Sequence, residues 1–205
     1  MSTLQIAARD KEIERKSVHV NRMTLYHGST AKGVTEFKAA GSSTLGIGVY
    51  LTPNAKQAEG YARHRQGLGE EGPDKVVYKC EITDLVLLDI RDGIPKSLSE
   101  PLREYVWGKI DSAGWGSLSP EMQHALLGIL DDINGGRDLR LAIRYYHRGE
   151  VFTAFLKGIG YDGLIGKEGG EGQYSPSNPS EGIGTHETYL IFDPKNVKIL
   201  EEHDL

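Results

Sequence analysis

The sequence is poor in the residues that support several common kinds of chemistry. Its single cysteine, Cys80, excludes an internal disulfide, and the strand pattern around it predicts a buried structural thiol in a reducing, cytoplasmic compartment. The seven histidines show no metal-ligand spacing, so no metal site is expected. No apolar run is long enough to cross a bilayer, and the first residues lack the core of a signal peptide. We therefore expect neither a disulfide scaffold nor a zinc module nor a membrane span.

The sequence also lacks an excess of positive charge. The formal net charge of -5 argues against a protein held to nucleic acid mainly through phosphate contacts. The contents of charged (26%) and hydrophobic (38%) residues are ordinary for a globular chain. A length of 205 residues fits one domain with an insertion, and we expect a monomer.

The most informative stretch runs from Gly46 to Tyr61. A glycine-rich strand ending near Tyr50 leads into a helix, which is capped either by Thr52, with proline in the first helical position, or by Asn54 in a capping box. This arrangement brings Tyr50 and Tyr61 near one place and suits a slot for a flat aromatic ring. The alternative is that both tyrosines are packing residues. The glycine spacing lacks the third glycine of the dinucleotide-binding fingerprint, which excludes a Rossmann loop.

The remaining pattern predicts strands separated by one helical block. We expect a flexible arm over residues 1–22 and a single domain over residues 23–205, with a helical insertion at about 97–158. The aromatic residues of this block are predicted to lie in its core: Trp107, Trp115, Tyr145 and Tyr146. The predicted strands are 23–29, 75–82, 85–90, 160–166, 187–192 and 196–200, with a long mobile loop over 167–186.

The first predicted strand ends in His27, Gly28 and Ser29. His27 can have a structural role at the turn. Alternatively, it presents its imidazole to a cleft, where Gly28 leaves the backbone open to a ligand. These residues leave both alternatives open.

Three blocks in this order resemble an ADP-ribosyltransferase. They are Leu25–Ser29, the Gly46–Tyr61 stretch, and Glu187–Phe192 with Asp193–Val197 behind it. The form matched is the His-Tyr-Glu branch, shared by the diphtheria-toxin type and the poly(ADP-ribose) polymerases. With the neighbouring strands the resemblance covers roughly half the chain, all outside the helical block. It implies an α+β fold in which a split mixed β-sheet grips NAD, the co-substrate.

The resemblance also implies roles for individual residues. His27 would hydrogen-bond the ribose hydroxyls, the Gly28 backbone would hold the nicotinamide carboxamide, and the Ser29 hydroxyl would touch the ribose. Tyr50 and Tyr61 would sandwich the nicotinamide ring by offset stacking. His27 and Tyr50 would thus belong to the catalytic set as well as to the NAD site.

Glu187 is implied as the third catalytic residue, bonding the 2′-hydroxyl of the nicotinamide ribose. A fixed carboxylate suits the cationic sugar that forms as nicotinamide leaves. Counted back from Asp193, however, the glutamate of many relatives would fall at Thr188. A one-residue slip in a strand reverses the face that a side chain occupies. We therefore expect a β-bulge that returns Glu187 to the face of the site.

The acceptor is expected to be a macromolecule, protein or nucleic acid. Arginine-modifying relatives carry a glutamate two residues before the catalytic one, where this chain has Thr185, so arginine is an unexpected acceptor. NAD hydrolysis and a non-catalytic NAD or ADP-ribose binding module are the alternatives. An RNA phosphotransferase, known on a related fold, ranks last, because it uses basic residues where this chain has Tyr50 and Glu187. Proteins of this size and charge resemble bacterial or phage toxins and effectors.

Overall fold

The computed structural model describes residues 14–39, 45–67, 74–137, 146–168 and 186–205. This part of the chain has an α+β fold, with a mixed sheet and several helices. The strands are β1 (Ser17–Ser29), β2 (Val49–Leu51), β3 (Val76–Asp89), β4 (Gly163–Glu168), β5 (His186–Ile191) and β6 (Lys198–Asp204). The α-helices are α1 (Ala55–Gly67), α2 (Ser99–Ala113), α3 (Pro120–Asn134) and α4 (Tyr146–Gly158). Single turns of 3₁₀-helix occupy Lys96–Leu98, Trp115–Ser117 and Pro194–Asn196.

The sheet is split along one edge of β3. Its strand order is β1-β3-β4-β5-β2, and β6 pairs with β3 off this path. β6 pairs with the first half of β3, from Val76 to Glu81, and β4 pairs in parallel with its last residues, from Leu87 to Asp89. Asp84 lies between the two halves at φ 54, a left-handed conformation that aspartate tolerates better than most residues.

We predicted two strands here, at 75–82 and 85–90, whereas the structure has one. On its other edge, β3 pairs with β1 on both sides of Asp84: Val20 pairs with Leu85, and Arg22 pairs with Thr83. Because β1 supports both halves of β3, the polar residues between them do not end the strand.

Among the described residues, one isolated bridge joins the two ends of the strand order. Tyr26 of β1 and Thr52, just after β2, exchange two backbone hydrogen bonds of 2.8 and 2.9 Å. The sheet therefore curls around an inner hydrophobic cluster. That inner cluster contains Val20, Leu25, Phe37, Val49, Leu51, Val76, Tyr78, Cys80, Ile82, Leu85, Leu87, Ile165, Tyr189, Ile191 and Val197. Cys80 is buried there as predicted, and burial raises the pKa of its thiol to about 12.

Helices α2, α3 and α4 pack on the other side of β4 and β5. In α2, Leu102, Val106 and Ile110 repeat every four residues and form its buried face. In α3, the Ser119 side chain caps the helix by accepting from the backbone N–H of Met122. Leu88, Leu164 and Leu190 of the sheet join this outer cluster. The structure describes residues 96–137 and 146–158 of the region in which we predicted a helical insertion.

The prediction for the tryptophans of this block is wrong. Trp107 is 49% exposed and Trp115 is 39% exposed. Trp107 directly follows Val106 and is turned about 100° away from the buried face of α2. Tyr145 and the side chain of Tyr146 lie outside the described part.

The predicted N-terminal arm does not extend to residue 22. Residues 17–22 belong to β1, where Ser17 pairs with Leu88 and Val20 is buried in the inner cluster. The charged run over residues 9–16 made the whole segment look polar, but pairing with β3 provides residues 17–22 with backbone partners. Residues 1–13 lie outside the described part, and so do residues 169–185 of the predicted loop.

Candidate functional site

The candidate site is the gap in which β1 and β2 separate beyond their bridge. Continued from Tyr26 and Thr52, the antiparallel register places Gly28 opposite Tyr50. These residues do not pair. Instead, Nδ1 of His27 lies 2.8 Å from the carbonyl oxygen of Tyr50. With its proton on Nδ1, the imidazole donates across the gap to the backbone of β2.

Gly28 presents its backbone to this gap. Tyr26 directs its N–H and C=O toward Thr52. Gly28 lies two residues further along β1, where the pairing with β3 is unbroken, so its N–H and C=O point to the same edge. No described residue forms a hydrogen bond with these two groups of Gly28. Buried backbone groups are nearly always paired, and Gly28 is buried. The edge therefore has one backbone donor and one backbone acceptor without a described partner.

Helix α1 requires glycine at this position. A Cβ added at Gly28 would overlap the carbonyl oxygen of Ala58 and would lie 2.9 Å from the backbone nitrogen of Ala62. Ala58 and Ala62 are both fully buried, so their small side chains let α1 lie close to the sheet. Asn54 caps this helix by accepting from the N–H of Lys56 at 2.9 Å.

His27 lies on the inner side of the sheet. Its ring contacts Phe37 edge to face, with centroids 4.7 Å apart, and Phe37 belongs to the inner cluster. The two alternatives for this residue are therefore not exclusive, because the ring braces β2 and also lines the gap. Ser29, at the end of β1, accepts a hydrogen bond from the N–H of Ala31 at 3.0 Å, and its hydroxyl holds the turn.

Tyr50 points to the outer side of the sheet. Its hydroxyl donates to the carbonyl of Gly46 at 2.8 Å and accepts from the N–H of Leu45 at 3.1 Å. Burial, together with the charge of Glu168, raises the pKa of Tyr50 far above its ordinary value. The phenol is therefore neutral and is fixed by the segment that precedes β2.

Tyr61 lies on α1, and its hydroxyl is 2.9 Å from Nε2 of His186. The two ring centroids are 5.4 Å apart at an interplanar angle of 69°. His186 is only 5% exposed. Sequence reasoning missed His186, although its position directly before Glu187 at the start of a strand was a signal that could have identified it.

The expected bulge in β5 is absent. Every residue of β5 pairs in register with β4, from His186 with Glu168 to Ile191 with Gly163. Side chains alternate along such a strand, so Glu187 shares the inner side with Tyr189, while Thr188 shares the outer side with Tyr50. The hydroxyl of Thr188 is buried and has no hydrogen-bond partner among the described residues.

On the inner side, Glu187 forms an ion pair with Arg91. Arg91 Nη1 bonds Glu187 Oε1, and Arg91 Nη2 lies 2.7 Å from Oδ2 of Asp89. The hydrogen bonds to Asp89 and then to Glu187 raise the pKa of Arg91 above its already high ordinary value. Sequence reasoning missed Arg91 and Asp89, because their link to Glu187 depends on strand order and not on a local motif.

The structure thus brings the expected residues together in two groups. His27, Gly28 and Tyr50 meet at the gap, and His27 shares the inner side with Glu187. Tyr61 is bonded to His186 on the outer side. In the described part of the chain, no three histidine, cysteine, aspartate or glutamate side chains are grouped so that they could hold a metal ion. None of the described helices is both long and apolar enough to span a membrane.

No protein-family model matches the chain. A search of curated proteins also gives no match. The chain is similar to a chain in the crystal structure of the M. tuberculosis MbcT–MbcA toxin–antitoxin complex, with a TM-score of 0.43 and 12% identity over 96% of this chain and 91% of that chain. Similarity at this level carries no information about the chemistry of this chain.

Proposed function

We propose that the chain binds NAD in the gap between β1 and β2 and transfers its ADP-ribose to a macromolecular acceptor. The observation that supports this best is the unpaired backbone edge of Gly28, which faces Tyr50 across a gap that His27 enters. A carboxamide has one N–H donor face and one carbonyl acceptor, and it complements the N–H and C=O of one extended residue. The three sequence blocks that resemble an ADP-ribosyltransferase lie on neighbouring parts of the sheet, since Tyr26 of β1 bridges to Thr52 and β2 pairs with β5.

In the proposed reaction, the bond between C1′ of the ribose and the nicotinamide nitrogen breaks. Its electron pair goes to the ring nitrogen, which loses its positive charge. A nucleophilic oxygen or nitrogen of the acceptor forms the new bond to C1′ and releases its proton. The sugar carries positive charge as the old bond breaks, and a preorganised carboxylate stabilises that charge. Glu187 is the proposed carboxylate because it lies on the same side of the sheet as His27.

A second candidate is a non-catalytic module that binds NAD or ADP-ribose. The register of β5 favours it, because Glu187 faces away from Tyr50 and is engaged by Arg91, while Thr188 occupies the side of the tyrosine. A threonine hydroxyl cannot supply the negative charge that the transferase reaction needs. The two candidates share the Gly28 edge and differ in whether nicotinamide is released.

The test compares wild type with Glu187→Gln and Thr188→Val in the presence of labelled NAD and a cell lysate. We expect Glu187→Gln to lower nicotinamide release by about 100- to 1,000-fold and Thr188→Val to leave it nearly unchanged. Label retained on protein or nucleic acid indicates transfer, and free ADP-ribose as the sole product indicates hydrolysis. Calorimetric binding of NAD without nicotinamide release supports the binding module. Absence of NAD binding would overturn both candidates.

A role as a cytoplasmic toxin or effector belongs to the same proposal. It predicts that induced expression of the wild-type chain slows bacterial growth and that the Glu187→Gln variant does not. Equal growth inhibition by both chains would separate toxicity from the proposed chemistry.

A further inference from the structure

Arg91 stands between two carboxylates that belong to different strands of the sheet. Asp89 ends β3, Glu187 is near the start of β5, and β4 runs between these strands. We infer that Arg91 is a positioning residue. Asp89 holds the guanidinium of Arg91 in place, and the guanidinium fixes the direction of the Glu187 carboxylate. This inference rests on the proposed function, since it concerns the same carboxylate.

The guanidinium of Arg91 is oriented by Asp89. Its Nε lies 3.0 Å from Oδ1 and its Nη2 lies 2.7 Å from Oδ2, so the two groups meet as a two-pronged pair. The backbone N–H of Arg91 also donates to Oδ1 at 3.0 Å. The side chain of Asp89 is only 16% exposed. Arg91 is therefore held in one plane before it contacts Glu187.

The remaining arm of the guanidinium reaches Glu187 with one nitrogen. Nη1 bonds Oε1, and Oε2 forms no hydrogen bond with any described residue. The Glu187 side chain is 37% exposed. This single contact orients the carboxylate and leaves its second oxygen available to a ribose hydroxyl. A two-pronged contact would have occupied both oxygens.

A half-buried glutamate near the start of a strand can adopt several rotamers. Ordering such a side chain costs free energy, because rotamer freedom is lost. When Arg91 holds one oxygen, the Glu187 side chain is already ordered in the folded protein before the ligand binds. Preorganisation of this kind is what electrostatic stabilisation of a developing charge requires.

The competing explanation is that Arg91 contributes a positive charge and no geometry. Lysine separates the two, since it keeps the charge but lacks the planar fork that binds Asp89 and reaches Glu187 together. Arg22 provides a matched control, because it forms an arginine–glutamate pair with Glu81 on the same sheet, with Nε 2.9 Å from Oε2. Its side chain is 74% exposed.

The experiment measures nicotinamide release and NAD binding for the full chain carrying Arg91→Lys, Arg91→Gln or Arg22→Gln. We expect both Arg91 variants to lower kcat by about 10- to 100-fold, with the Kd for NAD unchanged within about twofold. Arg22→Gln should match wild type. Wild-type kcat in Arg91→Lys would show that charge suffices and would overturn the inference. An unchanged kcat in Arg91→Gln would overturn it as well.

A readout without turnover separates this inference from the proposed function. In the ¹³C NMR spectrum, we expect Arg91→Gln and Arg91→Lys to shift the Glu187 carboxyl resonance and Arg22→Gln to leave it in place. If wild type releases no nicotinamide, the proposed transferase fails, and a shifted resonance still supports the orienting contact. An unshifted resonance would show that Arg91 does not hold Glu187.

Discussion

The hydroxyl of Tyr61 lies 2.9 Å from Nε2 of His186 and so joins helix α1 to the first residue of β5, 125 positions away. The contact places α1 across the outer side of the sheet, where it also covers Gly28. One hydrogen bond thus links the helix over the candidate gap to the strand that carries Glu187.

Replacing Tyr61 by phenylalanine removes this hydrogen bond and keeps the ring. We expect the free energy of unfolding to fall by about 1 kcal/mol, because the buried His186 loses a partner. Urea denaturation followed by far-UV circular dichroism measures the change. Tyr26→Phe is the control, since the hydroxyl of Tyr26 makes no hydrogen bond to a described residue. Equal losses in the two variants would contradict the importance of the Tyr61 contact.

Gly28→Ala should destabilise the protein strongly. The new methyl group would overlap the Ala58 carbonyl, which is backbone and cannot turn aside. We expect a loss of about 1–3 kcal/mol or more. Gly108→Ala in α2 is the opposite case, since a Cβ there meets nothing within 4 Å, and a gain of up to about 1 kcal/mol is expected. Thermal melts of both variants test the pair, and an unchanged melting temperature for Gly28→Ala would disprove the close packing of α1.

Thr188→Val should stabilise the free protein. The hydroxyl of Thr188 is buried without a partner, and valine has the same shape without the polar group. We expect a gain of about 1 kcal/mol. The measurement is chemical denaturation with and without saturating NAD. If the gain were absent without ligand, the hydroxyl would have a partner that the described residues do not include.

The contribution of Asp89 to stability should depend on pH in acid. Burial raises the pKa of this carboxyl, but the hydrogen bonds and charge of Arg91 outweigh burial and bring its pKa below the ordinary 3.8. A lowered folded-state pKa adds stability above the ordinary value and loses it as pH falls through the folded-state pKa. The stability difference between wild type and Asp89→Asn should therefore be constant above about pH 5 and shrink below pH 3.8.

The same comparison in an Arg91→Gln background provides the control. Without the guanidinium, burial remains and opposes ionisation of Asp89, so the difference should no longer shrink as the pH falls below 3.8. Urea denaturation at a series of pH values measures both pairs. Identical pH profiles in the two backgrounds would show that Arg91 does not set the ionisation of Asp89.

Much of the fold could be predicted from local pattern. The strand predicted at 75–82 matches the first half of β3, and the helical block predicted at about 97–158 contains α2, α3 and α4, because these signals come from neighbouring residues. The additional residues of β1 could not be predicted in this way. Their strand conformation depends on pairing with β3, which includes the ion pair between Arg22 and Glu81.

The residues of the candidate site also differ in whether a local motif or a long-range contact identifies them. Sequence motifs identified His27, Gly28 and Tyr50, and the structure brings them to one gap. Counting residues back from Asp193 could not show which face of the sheet Glu187 occupies, because that face depends on the register of β5 against β4. Arg91 and His186 were missed for a related reason, since each contacts a partner distant in the chain: Glu187 of β5 for Arg91, and Tyr61 of α1 for His186.

The exposure of Trp107 and Trp115 has a practical consequence for spectroscopy. They are the two tryptophans of the sequence, at 49% and 39% exposure. Native fluorescence should already have the long-wavelength emission of indole in water, and acrylamide should quench it readily. Emission would therefore change little on denaturation, and the tyrosines of the inner and outer clusters, read by near-ultraviolet dichroism, would report the loss of packing better.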